Sequence, residues 1–453
     1  MAEHEYKYTQ IYLYFKKLIE EGGILQGGKM PSLLACTKEF GVSKTTVESA
    51  YFQLAADGYI LSRERSGYYV TGRRNKKKEN GTAGRDGQSR EAEKEAYPAG
   101  ADSMAVYEVC GPVDARYDLA QMGDDPLTFR FDLWQRYLKS AVRHKDRMVT
   151  YGEPQGEAEL REAICEYVRK RRNIFCNPES IVIGASTQSL LTLLLPLLKG
   201  RGARTASVPA KGFERYARVF GSYDLKVDIR RKKADIIYVS PSHMTVWGDV
   251  MPLARRYEIL EHSRKGHLII EDDYQNEFVF SKQGCPSIYA LAGGENVVYL
   301  GSFSRLLLPS IRISFMILPK EILPAYRQIA ALYDQTASKT EQLALCSYLR
   351  DEHLYRQIKK LRKTYAAKRS MLDAVLQAMT GTIPGLSVRS GDCGTEMAVH
   401  GRTEKIQILR ERLDAAGISY REMKGYSDEE EQMLLFSCGL IESGRLGELE
   451  ASL

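Results

Sequence analysis

Three adjacent carboxylates, Glu271, Asp272 and Asp273, follow an apolar run and lie directly before Tyr274. The run, His267-Leu-Ile-Ile, has the character of a strand buried on both faces. Carboxylates at the end of such a strand need a partner, which can be a metal ion, a basic residue or the protonated ring nitrogen of a cofactor. The residues alone leave these three alternatives open.

A second candidate site lies where Gly184-Ala-Ser-Thr-Gln-Ser189 follows another apolar run. Small and hydroxyl-bearing residues at the start of a helix present free backbone N–H groups, which can hold a phosphate. Ordinary helix capping would use the same residues. The pattern by itself therefore does not distinguish a phosphate site from a cap.

The N-terminal residues predict three helices followed by a hairpin. A second helix spans about 33–40, and Ser43 is a candidate N-cap for a third. The residues on the buried faces of the first and third helices are Ile11, Phe15, Leu18, Ile19, Val47, Ala50, Tyr51 and Leu54. Two short aromatic strands, Tyr59-Ile-Leu and Tyr68-Tyr-Val, bracket a charged tip. A small protein-interaction domain and a winged helix-turn-helix both fit this pattern.

Polar residues at the start of the third helix favour DNA binding. Lys44, Thr45 and Thr46 lie where the second helix of a helix-turn-helix motif enters the major groove. A lysine and two hydroxyls can contact base edges and phosphates there.

The rest of the chain alternates strand-like runs with helical stretches. Strands are predicted at Ser180-Ile-Val-Ile-Gly, Asp235-Ile-Ile-Tyr-Val, His267-Leu-Ile-Ile and Asn296-Val-Val-Tyr-Leu. Continuous apolar runs separated by helices indicate parallel strands, so this part is predicted to be α/β, with its ligand site at the carboxyl ends of the strands. A charged helix and a mixed α+β pattern follow.

These patterns divide the chain into three segments. Residues 1–71 form the DNA-binding domain, 72–103 a flexible linker, and 104–453 the α/β domain, with a large part at about 125–350 and a small part at about 355–453. The linker has almost no aliphatic residues and cannot bury enough surface to order itself. Its basic start, Gly72-Arg-Arg-Asn-Lys-Lys-Lys, is either a phosphate contact or a solvated tether.

Composition restricts the class of protein. Hydrophobic residues make up 43% and charged residues 27%, as in a soluble globular protein. No apolar run of 18 residues and no signal peptide is found, so a cytoplasmic location without membrane insertion is expected. The 8 cysteines lack metal-ligand or disulfide spacing, so no metal site is predicted. The net charge of +7 is mild for this length.

The N-terminal motifs resemble the GntR family of winged-helix repressors. The resemblance covers residues 6–71 and rests on Gln10-Ile-Tyr, Met30-Pro-Ser32, Phe40-Gly-Val-Ser-Lys-Thr-Thr-Val47, Asp57-Gly-Tyr59 and Ser66-Gly-Tyr-Tyr-Val70. The predicted DNA-contacting residues are Ser32, Ser43, Lys44, Thr45, Thr46, Arg63, Arg65 and Gly67. The family usually has an arginine where this chain has Leu34, which predicts weaker binding or a changed sequence preference.

The α/β part resembles fold-type I pyridoxal-phosphate aminotransferases and, behind a GntR domain, the MocR (GabR-like) regulators. The motifs are Phe131-Asp-Leu-Trp, Tyr151-Gly-Glu-Pro-Gln-Gly, Pro241-Ser-His243, Met251-Pro-Leu-Ala-Arg-Arg, Glu271-Asp-Asp-Tyr-Gln-Asn-Glu-Phe278, Gly301-Ser-Phe-Ser304, Pro309-Ser-Ile-Arg-Ile313 and Tyr355-Arg-Gln-Ile-Lys-Lys-Leu-Arg362. The implied fold class is an N-terminal winged helix-turn-helix, an α/β fold-type I transferase-like domain and a C-terminal α+β small domain.

The resemblance implies roles for single residues. Asp272 would face the pyridine nitrogen of the cofactor, and Tyr274 its phenolic oxygen. Ser186 and Thr187 would hold the phosphate, Arg312 a phosphate or a substrate anion, and Phe213 would stack on the ring. His243, Ser302, Ser304 and Arg305 complete the predicted cofactor-binding or effector-binding set.

Several departures from the family lie in this pocket. Arg305 stands where the Schiff-base lysine is expected, and an arginine cannot act as an amine nucleophile. The family's His-Gln-x-Pro-Thr-Gly loop reads His243-Met-Thr-Val-Trp-Gly248, the segment after Phe213 is short, and Met433 replaces a carboxylate-binding arginine. Pyridoxal phosphate, if it binds, would therefore do so non-covalently. Arg305 could instead pair with phosphate, with Asp272 or with an anionic effector.

Three functional hypotheses follow. The first is a transcription regulator that binds a double-stranded DNA operator, with an inactive aminotransferase-like domain that forms a homodimer and senses an anionic small molecule. The second is a pyridoxal-phosphate-dependent enzyme with an accessory DNA-binding domain, which the missing lysine disfavours. The third is a large domain that only dimerises the DNA readers.

Overall fold

A computed structural model describes most of the chain as two compact units, Met1–Ala92 and Glu93–Leu453. The described residues are 7–20, 23–25, 27–42, 44–56, 59–63, 67–70, 107–209, 212–230, 233–263, 266–280, 285–423 and 431–452. The predicted linker, 72–103, lies outside them. Within them, no helix is long and apolar enough to cross a membrane.

The first unit is a winged helix. Its elements are α1 (Lys7–Glu20), α2 (Leu33–Phe40), α3 (Lys44–Ala56), β1 (Ile60–Arg63) and β2 (Gly67–Val70). Gly41, at φ 61°, ends α2 in the left-handed conformation that glycine adopts at low cost. The two strands pair antiparallel, and Lys29 bridges to Tyr69, which extends the wing by a short segment. The predicted helices and hairpin are confirmed.

A hydroxyl group on α3 contacts both α2 and the segment that precedes it. Tyr51 is fully buried on α3, and its hydroxyl donates to the carbonyl oxygen of Pro31 at 2.9 Å. Cys36 of α2 lies 3.1 Å from the same hydroxyl. The predicted inward-facing residues Val47, Ala50 and Leu54 pack around this point without measurable exposure.

The second unit contains two sheets. Its strands are β3 (Tyr107–Cys110), β4 (Tyr117–Asp118), β5 (Ile181–Gly184), β6 (Thr205–Val208), β7 (Lys226–Ile229), β8 (Ile236–Val239), β9 (Leu268–Asp272), β10 (Val297–Ser302), β11 (Ser314–Ile317), β12 (Ser387–Arg389), β13 (Glu396–Arg402), β14 (Ile418–Met423) and β15 (Glu431–Ser437). Its helices are α4 (Phe131–Val142), α5 (Lys145–Met148), α6 (Ala158–Arg172), α7 (Thr187–Gly200), α8 (Glu214–Gly221), α9 (Leu253–Ser263), α10 (Ile288–Ala292), α11 (Leu323–Ala330), α12 (Lys339–Arg350), α13 (His353–Thr380), α14 (Thr403–Ala415) and α15 (Ser443–Ser452).

The larger sheet has the strand order β5-β11-β10-β9-β8-β6-β7. All four strands predicted from apolar runs are present, as β5, β8, β9 and β10. Strand β9 pairs in parallel with both β8 and β10. The expectation of a purely parallel sheet is wrong at one place, because β11 runs antiparallel to both β10 and β5. A short connection after β10 reverses the chain there, so no crossover helix is needed.

The smaller sheet has the order β12-β13-β15-β14-β3, and β4 pairs with β14. Strands β3 and β4 precede the large part in sequence, and the sequence analysis did not predict that they would join strands from the C-terminus. The pairing of β3 with β14 is important for the site, because it places Tyr107 of β3 beside β14.

Candidate functional site

Asp272 ends β9 and is bonded by two tyrosine hydroxyls. Tyr238, on β8, donates to Asp272 Oδ2 at 2.6 Å, and Tyr216, on α8, donates to the same oxygen at 3.0 Å. Burial raises the pKa of Asp272 to about 6, against the lowering effect of these two hydrogen bonds. The predicted position at a strand end is correct, and within the chain the partners of this carboxylate are tyrosines rather than a basic residue.

The neighbouring carboxylates have other partners. Glu271 accepts the backbone N–H groups of Ile288 and Tyr289, at 2.8 and 2.7 Å. Asp273 pairs with Arg172, whose Nε lies 2.6 Å from Oδ2. These contacts hold β9 to α10 and α6, and so fix the strand that presents Asp272.

Tyr216 lies between the groups predicted to bind the two ends of the cofactor. Its ring stacks on that of Tyr238, with centroids 4.5 Å apart, and Phe213 lies 6.4 Å away. Burial raises the pKa of the Tyr216 hydroxyl, and Thr187 is among the neighbours that partly offset this rise by hydrogen bonding. The phenol thus spans from Asp272 to the residue predicted to hold phosphate.

Ser186 serves as a helix cap. Its side chain accepts the backbone N–H of Ser189 at 3.1 Å, and Ser189 Oγ accepts the backbone N–H of Ser186 at 2.9 Å. This reciprocal pair forms a capping box at the start of α7. The hydroxyls of Ser186 and Ser189 are therefore engaged in capping, whereas that of Thr187 neighbours Tyr216.

Arg305 pairs with groups other than Asp272. Its Nη1 donates to the carbonyl oxygen of Gly123 at 2.9 Å and lies 3.2 Å from Asp124 Oδ1, while Nη2 donates to Thr395 Oγ1 at 3.2 Å. The pair is buried, and burial raises the pKa of Asp124 against the opposing effect of Arg305. The sequence analysis considered phosphate, Asp272 and an anionic effector as partners of this guanidinium, but not Asp124.

A cavity of about 150 Å³ lies beside these groups, between the larger and the smaller sheets. Its aromatic walls are Tyr107, Phe213, Tyr216, Tyr238 and Tyr274, and its polar walls include Ser240, His243, Asp272, Glu396 and Arg421. No lysine is found among the described residues that line it. Lys368 is fully buried elsewhere and pairs with Asp125 at 2.8 Å.

The structure brings together part of the predicted set. Phe213, His243, Asp272 and Tyr274 line the cavity, whereas Ser186, Thr187, Ser302, Ser304, Arg305 and Arg312 are not among its lining residues. Ser304 Oγ donates to the carbonyl oxygen of Ile311 at 3.1 Å, and Ser302 and Ser314 share a hydrogen bond of 3.1 Å. These serines hold the turn between β10 and β11. Arg312 is exposed.

Glu396 and Arg421 were missed by the sequence analysis. Glu396 begins β13 and Arg421 lies within β14, and both strands carry further polar residues, so neither residue stands out in the sequence. Their position beside Asp272 depends on packing between distant segments. Burial opposes the ionisation of Glu396, yet the nearby His243, Arg305 and Arg421 together hold its pKa below the ordinary value. A Cβ at Gly394, where φ is +80°, would come within 2.8 Å of Glu396 Oε2, so glycine leaves room for this polar group.

The candidate DNA interface is described in part. Ser32 caps α2 by accepting the backbone N–H of Ala35 at 3.1 Å, and Gly67 begins β2. Ser43 and Arg65 lie outside the described residues. Lys44 and Thr45 begin α3, Thr46 follows them, and Arg63 ends β1. Leu34, at the place where an arginine was expected, is 64% exposed on α2.

Comparison with known families agrees with this division. Residues 7–70 match the model "Bacterial regulatory proteins, gntR family", and residues 129–414 match "Aminotransferase class I and II". The chain is 32% identical to the uncharacterized HTH-type transcriptional regulator YhdI of Bacillus subtilis (strain 168), over 85% of this chain and 81% of that protein. This chain belongs to the HTH-type transcriptional regulators that combine a GntR region with an aminotransferase class I and II region.

Other relatives of this regulator also match over most of their length. It is 31% identical to the uncharacterized regulator YdeL of Bacillus subtilis (strain 168), over 83% of this chain and 80% of that one. Identity to the probable rhizopine catabolism regulatory protein MocR of Rhizobium meliloti is 24%, over 91% and 85%.

Solved structures establish the fold of the second unit. An archaeal alanine:glyoxylate aminotransferase superposes with a TM-score of 0.62 at 19% identity, over 74% of this chain and 90% of the enzyme. A Thermus thermophilus aspartate aminotransferase mutant gives 0.63 at 15% identity, over 75% and 91%. The fold is that of a pyridoxal-phosphate-dependent family, as predicted.

Proposed function

We propose that this chain is a DNA-binding transcription regulator whose aminotransferase-like unit does not catalyse transamination. The observation that carries the second half of the proposal is the ion pair of Arg305 with Asp124, at the position predicted for the Schiff-base lysine. A guanidinium stays protonated at every relevant pH and cannot supply the amine nucleophile.

The cavity residues do not fit pyridoxal phosphate as aminotransferases hold it. Asp272 is the carboxylate expected to face the pyridine nitrogen, and its Oδ2 already accepts hydrogen bonds from two hydroxyls. The Tyr216 hydroxyl donates to this oxygen and neighbours Thr187, and no lysine is found among the described lining residues. These contacts support a unit that neither forms a covalent link to the cofactor nor shuttles a proton through an amine.

The DNA contacts are assigned to the first unit. We keep residues 1–71 as the DNA-binding domain, 72–103 as the linker and 104–453 as the second domain. Ser32, Ser43, Lys44, Thr45 and Thr46 on the helices, with Arg63, Arg65 and Gly67 on the wing, remain the proposed contacts. The GntR match over residues 7–70 supports this assignment.

The second unit is proposed to form a homodimer. Val149, Tyr151 and Leu332 are large apolar side chains with exposures of 82%, 100% and 78%. Their segments lie side by side, because Lys339 donates to the carbonyl oxygens of Thr150 and Tyr151 at 3.1 and 3.3 Å. An exposed apolar patch of this kind marks an interaction surface, and a self-complementary patch would place two DNA readers together.

Two experiments test the proposal. Purified protein mixed with pyridoxal phosphate and then with borohydride should give no adduct on a lysine; a trapped adduct supports the aminotransferase-like alternative instead. A gel shift with DNA from upstream of the chain's own gene should show sequence-selective, salt-sensitive binding. DNA binding that is neither sequence-selective nor salt-sensitive would contradict the regulator assignment.

A further inference from the structure

We propose that the cavity is a cofactor-free ligand site, in which Tyr216 takes the place of the cofactor ring and Arg421 and Glu396 bind a small, unphosphorylated zwitterion. The inference deepens the proposed regulatory function by naming the class of effector. It also replaces the purely anionic effector expected from the sequence with one that carries both charges.

The cavity contains polar atoms that lack partners. Ser240 Oγ, His243 Nε2, Glu396 Oε1 and Arg421 Nε all line it, and none has a hydrogen-bond partner among the described residues. The four residues are at least nine-tenths buried. Leaving such groups without partners is costly, and four of them converging on one cavity indicate a polar ligand.

Arg421 is positioned to receive a carboxylate. Its guanidinium lies over the ring of Tyr107, 5.2 Å from the centroid, and forms no ion pair with the described residues. Stacking on a ring face leaves the in-plane N–H donors free for a bidentate carboxylate. Arg421 pairs with Leu435 across β14 and β15, two residues from Met433, where the family's arginine is missing. The positive charge has thus moved to the neighbouring strand.

Glu396 supplies the opposite charge. One of its oxygens accepts the backbone N–H of Thr395 at 3.0 Å, and the other is without a partner. His243 Nε2 lies 3.7 Å from Glu396 Oε2, which is longer than a hydrogen bond. The carboxylate therefore keeps an open acceptor for an ammonium or hydroxyl group of the ligand. Asp272 cannot compete equally, since two tyrosines already bond to it.

The size of the cavity favours a small ligand. A cavity of about 150 Å³ accommodates a molecule about as large as benzene, roughly six non-hydrogen atoms. Alanine and β-alanine are of this size. Pyridoxal phosphate, with a substituted ring and a phosphate ester, is much larger and would need the space that the Tyr216 ring fills.

The first test measures binding to the full-length protein by calorimetry and thermal shift. The probes are glycine, alanine, serine and β-alanine, with propionate and propylamine as compounds that each lack one charge. We expect at least one amino acid to bind and to raise the melting temperature, with propionate and propylamine at least tenfold weaker. Equal binding of propionate would overturn the role of Glu396, and no binding of any amino acid would overturn the proposal.

Matched variants test the residues. Arg421→Gln and Glu396→Gln should each lower the affinity at least tenfold. Arg389→Gln should leave it unchanged, because Arg389 also stacks on an aromatic ring, Trp247, but is exposed and does not line the cavity. Equal losses in all three variants would show a general structural effect and contradict the assignment.

The role of Tyr216 has a separate readout. Equilibrium dialysis should show no retention of pyridoxal phosphate by the wild type or by Tyr216→Phe, which keeps the ring, and clear retention by Tyr216→Ala. Retention by the wild type at the same level would overturn the exclusion of the cofactor by this ring. Should Tyr216→Ala fail to fold, the wild-type and Tyr216→Phe measurements still decide the point.

DNA binding distinguishes failure of this inference from failure of the proposed function. If the wild type binds its DNA but no amino acid, the regulator assignment is supported and the ligand site is contradicted. If it binds an amino acid but no DNA, the ligand site is supported and the regulator assignment is contradicted.

Discussion

Asp272 shows how one residue can keep its place in a fold and change its chemistry. In an aminotransferase such a carboxylate must stay ionised to hold a protonated ring nitrogen. Here burial raises its pKa to about 6 and two tyrosine hydroxyls donate to it. Those donors supply hydrogen bonds without a formal positive charge, so ionisation is poorly compensated.

The first prediction concerns Asp272→Asn and pH. An unfolded aspartate has a pKa of about 3.9, so the folded protein binds more protons between about pH 4 and pH 6, and stability falls as the pH rises through that window. The variant has no titrating group at this position and therefore does not lose this stability. The difference in unfolding free energy, variant minus wild type, should increase by about 2–3 kcal/mol from pH 4 to pH 7, measured by urea unfolding. Stability curves that stay parallel across this range would contradict the raised pKa.

The second prediction concerns the buried ion pair. Asp124→Ala leaves Arg305 without its carboxylate in a buried site, and we expect a loss of about 3 kcal/mol in unfolding free energy. Asp132→Ala provides a matched control, because the Asp132–Arg130 pair is exposed and its loss should change stability little. Similar effects of the two substitutions would mean that Arg305 finds another partner.

At the scale of elements, one hydroxyl ties α3 to the segment that precedes α2. Tyr51→Phe removes the donor to the Pro31 carbonyl, which we expect to cost about 1–2 kcal/mol. Hydrogen exchange of the full chain should become faster in the described parts of 27–56 and stay unchanged in the second unit. Tyr14→Phe is the control because Tyr14 is about half exposed. Unchanged hydrogen exchange in Tyr51→Phe would show that this hydroxyl does not stabilise the first unit.

The exposed face of α2 gives the fourth prediction. Leu34→Arg should restore a phosphate contact, strengthen binding to the upstream DNA severalfold and steepen the slope of log K against log[salt] by about 0.9. Leu34→Gln, which adds no charge, should leave the slope as in the wild type. Fluorescence anisotropy at several salt concentrations measures both, and an unchanged slope in Leu34→Arg would place α2 away from the phosphates.

Local patterns predicted the elements well, and long-range packing limited the prediction of the site. The strands around Ile181, Ile236 and Val297 were readable because continuous apolar runs need no knowledge of distant residues. The reversed strand β11 and the entry of β3 into the smaller sheet depend on pairing between distant segments, which no local period encodes.

The same distinction applies within the cavity. Asp272 and Phe213 were predicted because they lie in recognisable motifs, and both line it. Glu396, Arg421 and Tyr107 come from β13, β14 and β3, and only the assembled smaller sheet turns them toward Asp272. Both β13 and β14 contain other charged residues, so local sequence does not single out the first two.

At the scale of the whole molecule, the second unit has the aminotransferase fold, and several residues predicted for its cofactor site contact other parts of the chain. Arg305 joins the loop after β10 to Asp124 and Thr395, and Tyr216 joins α8 to β9. Such internal contacts suit a unit that binds and dimerises more than one that must release and reform a covalent link. An exposed apolar patch on this unit then has a function only if it is covered.

The fifth prediction tests that patch. The double variant Tyr151→Glu/Leu332→Glu places two negative charges on it and should sediment as a monomer at concentrations where the wild type sediments as a dimer. Val113→Glu is the control, because Val113 is equally exposed but follows β3 beside the smaller sheet. The monomeric variant should bind a single half-site as the wild type does and lose the added affinity for paired half-sites, since that gain comes from linking two readers. A variant that remains dimeric would assign the interface to another surface, whereas a monomer that keeps its full affinity for paired sites would show that the DNA readers act independently of this unit.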